Sequence, residues 1–310
     1  MGTWGGGLYG NDDAADLRDD LKEVLRAPWD GERLLAWARA AFPAAADPAD
    51  TSYPDLRLAL ADQFWLYGIE HAETRDEALR IIEEGVDLDA KRALGMDERG
   101  LARRARLLAE LAEKWRSPNP EPRRRRVLEK PEPFVLEIGD CIVYPTARGR
   151  VRNPYVSPRK EEWFYGRYPW EQDGWAAAIV LARRHRFDVF ARYLVAILRW
   201  HESTPPARAD FAGLSILRSG TFMPTPQRRV HLVSTSRQHL QRMRVEVVGR
   251  LEVDDARVES EFAGELSRPG REFANDAWTL PDLYDHMPER LAPADIDDPV
   301  SRFLAGAPRP

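Results

Sequence analysis

Apolar residues in the first third of the chain recur at the spacing of α-helices. The pattern predicts five amphipathic helices between residues 1 and 116, and short loops between them are typical of a small bundle. Thr74 and Glu77 form a capping box that predicts the start of the fourth helix. The stripes are Leu17, Leu21, Val24 and Leu25; Leu34, Leu35, Ala38 and Phe42; Leu56, Leu60 and Phe64; Ala78, Ile81 and Ile82; and Leu101, Ala105, Leu108, Ala112 and Trp115.

The helical pattern stops at residues 117–133, whose sequence is SPNPEPRRRRVLEKPEP. This stretch contains five prolines and a run of four arginines. Proline fixes φ and lacks a backbone donor, so the segment is predicted to be an extended linker. It marks the clearest domain boundary in the sequence.

Shorter apolar runs follow the linker and indicate a second, β-rich domain over residues 134–264. Strands are predicted at 134–136, 138–144, 175–181, 230–233 and 245–248, and the run 187–198 suits a strand or a helix. We therefore expect an α+β chain: a helical bundle, then a mainly antiparallel curved sheet with one or two helices. Residues 265–310 are acidic and Pro-rich, with a short helix expected around 299–304.

The composition favours a cytoplasmic bacterial protein. The 46 basic residues include only five lysines, a usage that GC-rich genomes produce. Cys141 is the single cysteine, so no intramolecular disulfide can form. No basic region followed by an apolar run opens the chain, so we expect no signal peptide, and no apolar stretch is long enough to make a membrane a partner.

Charge is distributed in three blocks. Residues 1–116 hold 24 acidic and 16 basic residues, 117–250 hold 13 and 24, and 251–310 hold 14 and 6. Mutual neutralisation between the blocks is the simplest interpretation, and a partner-binding surface is the functional one. On the helical part, Asp12, Asp13 and Asp16 would face a basic partner. For nucleic acid, the candidates are Arg123, Arg124, Arg125, Arg126, Arg148, Arg150, Arg152 and Arg159.

An aromatic cluster in the second domain is the preferred partner-binding surface. It contains Trp163, Tyr165 and Trp170, with Arg167 among them. Aromatic residues beside arginine are enriched at the binding hot spots of protein interfaces. The alternative is that these rings fill the core of the β-rich domain.

Catalytic and metal-binding patterns are missing from the sequence. The six histidines show no metal-ligand spacing, and no serine stands in a nucleophile elbow. Cys141 lies between apolar residues, where a small buried side chain is expected rather than a nucleophile. We therefore predict no catalytic residue, no metal and no cofactor, and keep an unrecognised hydrolase as an alternative.

The opening of the chain resembles a bacterial family of unknown function that begins M-G-x-W-G-x-G-x-x-x-N-D-x-A-x-D. The matching residues are Met1, Gly2, Trp4, Gly5, Gly7, Asn11, Asp12, Ala14 and Asp16. The resemblance implies a small helical domain and implies no activity. Trp4 and Tyr9 are expected to bury their rings and fix this glycine-rich arm in place.

A second resemblance follows the linker. Residues 136–145, LEIGDCIVYP, and then 163–167, WFYGR, are similar to an immunity-protein family of bacterial polymorphic-toxin systems. The resemblance implies a protein that covers the active site of a toxin without turning over a substrate.

These observations together favour a non-catalytic protein that binds a macromolecule, in its most concrete form an immunity-like protein with a toxin domain as partner. A nucleic-acid-associated protein that uses the basic central region is the alternative, since its arginines suit phosphate.

Overall fold

The computed structural model describes residues 7–147, 150–156, 170–200, 202–217, 230–267, 271–272 and 299–306. It divides the chain into two compact units, Met1–Lys130 and Pro131–Pro310. The first is helical and the second is built on a sheet, which confirms the predicted α+β class and the order of its parts.

Six α-helices form the described part of the helical unit. The helix α3 is buried on nearly every side and packs against α1, α4, α5 and α6. The helices are α1 (Asp12–Val24), α2 (Gly31–Ala41), α3 (Tyr53–Leu66), α4 (Ala72–Glu83), α5 (Val86–Ala93) and α6 (Glu98–Trp115).

Side-chain caps start most of these helices. Asn11, Asp30 and Asp97 each accept a hydrogen bond from a backbone N–H in the first turn of α1, α2 and α6. The predicted capping box at Thr74 is wrong, because α4 begins three residues earlier. His71 is its cap, and the His71 Nδ1 accepts from the N–H of Thr74 at 3.2 Å.

The helix α5 was not predicted from the sequence, because the residues that it buries are charged rather than apolar. Its two buried residues are Asp87 and Lys91, so it has no apolar stripe. Both side chains enter a network of charges inside the bundle, with Asp55 from α3 and Arg104 from α6. Each of the four side chains is no more than 3% exposed.

Arg104 lies at the centre of this buried network. Its Nε and Nη2 donate to the two carboxylate oxygens of Asp87 at 2.9 and 2.7 Å, and Nη2 also donates to Asp55 at 3.0 Å. Lys91 donates to the other oxygen of Asp55. Burial opposes the charge on Arg104, yet the hydrogen bonds with Asp87 prevail and raise its pKa. Two cations and two anions thus balance inside the bundle.

The network also holds the glycine-rich arm. Arg104 Nη1 donates to the carbonyl oxygen of Gly7 at 2.7 Å. Two residues later, the Tyr9 hydroxyl donates to Asp62 at 2.6 Å and accepts from Gln63 at 2.5 Å. These bonds confirm that Tyr9 anchors the arm. Trp4 lies outside the described residues.

The segment after α6 contains no helix or strand up to Lys130, yet it is bonded to the helical unit. Arg123 donates its N–H to the carbonyl of Leu66 at 2.8 Å, and Leu128 donates to that of Arg26 at 2.8 Å. The boundary between the two units therefore falls after Lys130, near the end of the segment read from sequence as a linker.

Among the described residues, a seven-stranded sheet organises the second unit. Its order is β2-β1-β3-β4-β5-β7, and β6 also pairs with β1. All pairs are antiparallel except β5 with β7. The strands are β1 (Asp140–Ala147), β2 (Arg150–Val151), β3 (Gly174–Arg186), β4 (Phe190–Leu198), β5 (His231–Ser234), β6 (Glu246–Arg250) and β7 (Arg271–Glu272).

The sheet is covered on both faces, because successive side chains of a strand point to opposite sides. Ile142 and Tyr144 of β1 join one apolar cluster, and Cys141 and Val143 join the other. All of β1 and β4 is buried as a result. Burial on both sides accounts for the continuous apolar runs in the sequence.

Two helices, as predicted for this unit, cover the sheet. Met243 at the end of α7 (Arg237–Met243) packs on one face, and Phe262 of α8 (Asp255–Leu266) packs on the other. A 3₁₀ helix, Val300–Phe303, joins the second cluster, where the Phe303 and Phe262 ring centroids are 5.2 Å apart. The short helix expected around 299–304 is therefore present.

The ambiguous run 187–198 is a strand preceded by a tight turn. Phe187 and Asp188 both have positive φ, at 53° and 65°, which is the conformation of a type I′ hairpin turn between β3 and β4. The strand predicted at 134–136 is wrong. There, the N–H of Val135 donates to the hydroxyl of Tyr193 at 2.7 Å, a side chain rather than a neighbouring strand.

Within the described residues, no helix is both long enough and apolar enough to cross a bilayer.

We expect replacement of Arg104 to destabilise the helical unit strongly. Arg104→Met keeps most of the side-chain volume but leaves Asp87 buried without a cation. Breaking a buried ion pair in this way costs roughly 3–5 kcal/mol. Urea unfolding followed by far-ultraviolet circular dichroism measures the loss.

Arg103→Met is the matched control, since Arg103 is the exposed neighbour on the same helix. Equal unfolding midpoints for the two variants would show that the buried network does not stabilise the bundle.

Candidate functional site

The sequence-predicted aromatic surface is described only in part. Trp163, Tyr165 and Arg167 lie outside the described residues, as do Arg148 and Arg159 of the nucleic-acid set. The backbone of Arg150 belongs to β2. Trp170 and Arg152 are described, and they lie together.

Trp170 is flanked by two arginines that are distant in sequence. The guanidinium carbons of Arg152 and Arg244 lie over its ring, 5.8 and 6.0 Å from the centroid. These distances fall at the outer limit of the cation–π range. The ring is half-buried, and its Nε1 has no hydrogen-bond acceptor among the residues that the structure describes.

Two side chains of the helix α7 contact the chain close to Arg152. Arg242 donates from Nη1 to the carbonyl oxygen of Pro154 at 2.7 Å. Beside it, Tyr155 packs edge-to-face on His239 with ring centroids 4.9 Å apart. Tyr155 is 45% exposed. These contacts join the chain after β2 to α7, and we call the result the Trp170 surface: Arg152, Tyr155, Trp170, His239, Arg242 and Arg244.

The charge of the Trp170 surface is positive. Arg242 and Arg244 are both exposed. Burial, and then the neighbouring Arg242, lower the pKa of His239, so its ring is neutral near pH 7. The surface therefore offers guanidinium donors around a half-buried indole, a combination that suits carboxylate or phosphate groups.

Most of this surface was not predicted from sequence. Tyr155, His239, Arg242 and Arg244 were not candidates, because α7 is short, polar and without an apolar stripe. The one local signal is Ser236, whose side chain accepts from the N–H of His239 and caps the helix. Pairing of α7 with residues 152–155 is a tertiary contact that no local pattern shows.

The predicted acidic residues lie at the start of α1 in the helical unit. Asp12 and Asp16 are exposed, and Asp13 is half-buried. Asp13 has a structural contact, since the Ser52 hydroxyl donates to its carboxylate at 2.5 Å. Asp12 and Asp13 also lie in the first turn, where the helix dipole favours negative charge.

The four-arginine run does not form a uniform patch. Arg125 donates to the carbonyl oxygens of Leu25, Ala27 and Trp29, at 3.1, 3.0 and 2.9 Å. These carbonyls follow the end of α1, and burial lowers the pKa of Arg125. Arg123, Arg124 and Arg126 are exposed. Arg125 thus ties the segment after α6 to the helical unit.

The remaining reactive side chains are in structural positions. Cys141 is fully buried in β1, and burial raises the pKa of its thiol to about 11, so it is protonated at neutral pH. His185 packs on Phe134 with ring centroids 4.3 Å apart, and its Nε2 lies 2.8 Å from the carbonyl oxygen of Glu132. No group of three or more His, Cys, Asp or Glu in the described part of the chain could hold a metal ion.

Comparison with known proteins finds no relative. No protein-family model matches the chain, no curated protein matches it, and no solved structure matches it. The candidate function must therefore be argued from the geometry of the Trp170 surface.

We expect Arg125 to stabilise the helical unit rather than to bind a ligand. Arg125→Met removes hydrogen bonds to three carbonyl groups and should lower the free energy of unfolding by about 1–2 kcal/mol. Urea unfolding measures this change. Arg124→Met, at the exposed neighbour, should alter stability by less than about 0.5 kcal/mol. The assignment fails if both variants unfold at the wild-type midpoint.

Proposed function

We propose that this chain is a non-catalytic binding protein whose Trp170 surface recognises an acidic surface of another protein. One observation carries the proposal: the guanidinium groups of Arg152 and Arg244 both lie over the Trp170 ring, and Arg242 of the same region is held by the carbonyl oxygen of Pro154. Tryptophan and arginine are the residue types that most often dominate binding energy at protein interfaces.

The local geometry favours polar contacts through the arginines. The Trp170 ring is half-buried, and the guanidinium carbons of Arg152 and Arg244 lie 5.8 and 6.0 Å from its centroid, which limits the ring area open to a stacked nucleobase. Carboxylates can instead bind the guanidinium groups of the exposed Arg242 and Arg244. This supports an acidic protein surface over single-stranded nucleic acid.

The exposed arginines of the Trp170 surface support the same partner class. Arg242 and Arg244 are both exposed. Their positive charge raises the rate of encounter with an acidic partner, and the attraction weakens as salt is added. Nucleic acid remains the alternative, through Arg123, Arg124 and Arg126.

In its most specific form, the partner is the toxic domain of a bacterial polymorphic toxin. The similarity of residues 136–145 to immunity proteins supports this form of the proposal. Such a protein acts by covering an active site, with an aromatic anchor and a charged rim, and needs no catalytic group of its own.

Two double variants separate the acidic partner from nucleic acid. We expect labelled poly-L-glutamate to bind the full chain, and R152Q/R244Q to weaken that binding about tenfold, because two charge contacts are lost. R124Q/R126Q removes the same charge from the helical unit and should leave this affinity unchanged. Fluorescence anisotropy from low to high salt measures all three proteins.

The same titration with single-stranded oligothymidylate tests the alternative. Tight oligonucleotide binding that R124Q/R126Q abolishes would replace the proposal with the nucleic-acid function. Failure of both probes at low salt would refute the charge-based recognition.

The toxin-specific form is tested with a defined protein. We expect the toxic domain encoded beside this gene to bind the wild-type chain in calorimetry, and R152Q/R244Q to bind it more weakly. Bacteria that express the domain should grow only with the wild-type chain co-expressed. A neighbouring gene without such a domain, or equal binding by both double variants, contradicts this form.

A further inference from the structure

A cavity of about 540 Å³ opens in the helical unit, and none of the residues that line it belongs to the Trp170 surface. It lies between the C-terminal end of α3, the N-terminal end of α4 and the chain that follows α6. Its volume is that of a typical small-molecule site. Four rings belong to the wall: the half-exposed Trp65, and Phe64, His71 and Trp115 behind it, which are largely buried.

The aromatic wall is held in place by specific contacts. Trp65 donates from Nε1 to the carbonyl oxygen of Ser117 at 2.9 Å. Phe64 and His71 pack edge-to-face with ring centroids 5.9 Å apart. His71 is fixed in turn as the cap of α4, and Trp115 is only 1% exposed. A wall fixed in this way loses little conformational entropy when a ligand binds.

Two charged residues belong to the wall, Glu70 and Arg75. Glu70 is exposed, and its carboxylate has no hydrogen bond or ion pair with a described residue. The Arg75 guanidinium is already engaged, because its Nε and Nη2 both contact Asp76 at 2.9 Å. Glu32 lies behind the wall, 3.0 Å from the Nε2 of His71.

We propose that this cavity binds a small organic cation that carries a methylated ammonium group. Aromatic rings attract such cations through the negative charge on their faces, and Glu70 supplies the counter-charge. A quaternary ammonium, such as that of choline, has no N–H and donates no hydrogen bond, so the exposed face of the Trp65 ring and the Glu70 carboxylate suit it better than a cage of acceptors would. The inference is independent of the Trp170 surface, which lies in the other unit.

The test compares two ligands of the same shape. Choline carries the cation, and 3,3-dimethyl-1-butanol replaces its nitrogen with carbon and has no charge. We expect saturable binding of choline to the full chain in calorimetry, with affinity at least about tenfold above that of the neutral alcohol. Equal binding of the two, or no choline binding at millimolar concentration, overturns the proposal.

Matched variants locate the binding site. Glu70→Gln should weaken choline binding about fivefold to tenfold, and Glu110→Gln, at an exposed glutamate of α6, should leave it unchanged. Trp65→Leu should abolish binding, and Trp65→Phe should retain part of it because a ring remains. Circular dichroism confirms that each variant is folded. Identical affinities for the Glu70 and Glu110 variants would place any choline elsewhere.

Discussion

The helical unit depends on the charges buried at its centre. Arg104 contacts Asp87, Asp55 and the carbonyl oxygen of Gly7, and so joins α6 to α5, to α3 and to the N-terminal arm. Buried ionic groups require complete pairing, because a single unpaired charge costs more than the pair contributes. The network therefore selects one arrangement of these elements. The cavity lies at the opposite end of α3 from Asp55, so its shape depends on how the network positions α3.

Elements of the fold that bury apolar side chains were predictable from the sequence. Five helices carried a stripe and were found, whereas α5 buries Asp87 and Lys91 and was missed. Residues 187–198 were ambiguous because both faces of the sheet are covered, which removes the alternation that identifies a strand. Periodicity reports burial of apolar residues only, so elements held by charge or by long-range pairing escape it.

The candidate site shows the same limit more strongly. Trp170 was predicted as part of an aromatic partner surface and Arg152 as part of a separate nucleic-acid set, and the structure brings the two together. Arg244 and Arg242 could not be proposed, since they reach Trp170 and Pro154 only through the packing of α7. Conversely, Arg125 was predicted to bind nucleic acid, whereas its guanidinium donates hydrogen bonds to the backbone carbonyl groups that follow α1. Residue type alone does not distinguish these roles.

Burial of β1 and β4 on both faces has an evolutionary consequence. Substitutions in these strands disturb close packing, whereas the exposed arginines of α7 lie outside both apolar clusters. Selection can therefore alter the chemistry of α7 and of the chain after β2 while the sheet stays constant. Exposed positions of α7 should therefore diverge faster between related sequences than the positions of β1 and β4 do.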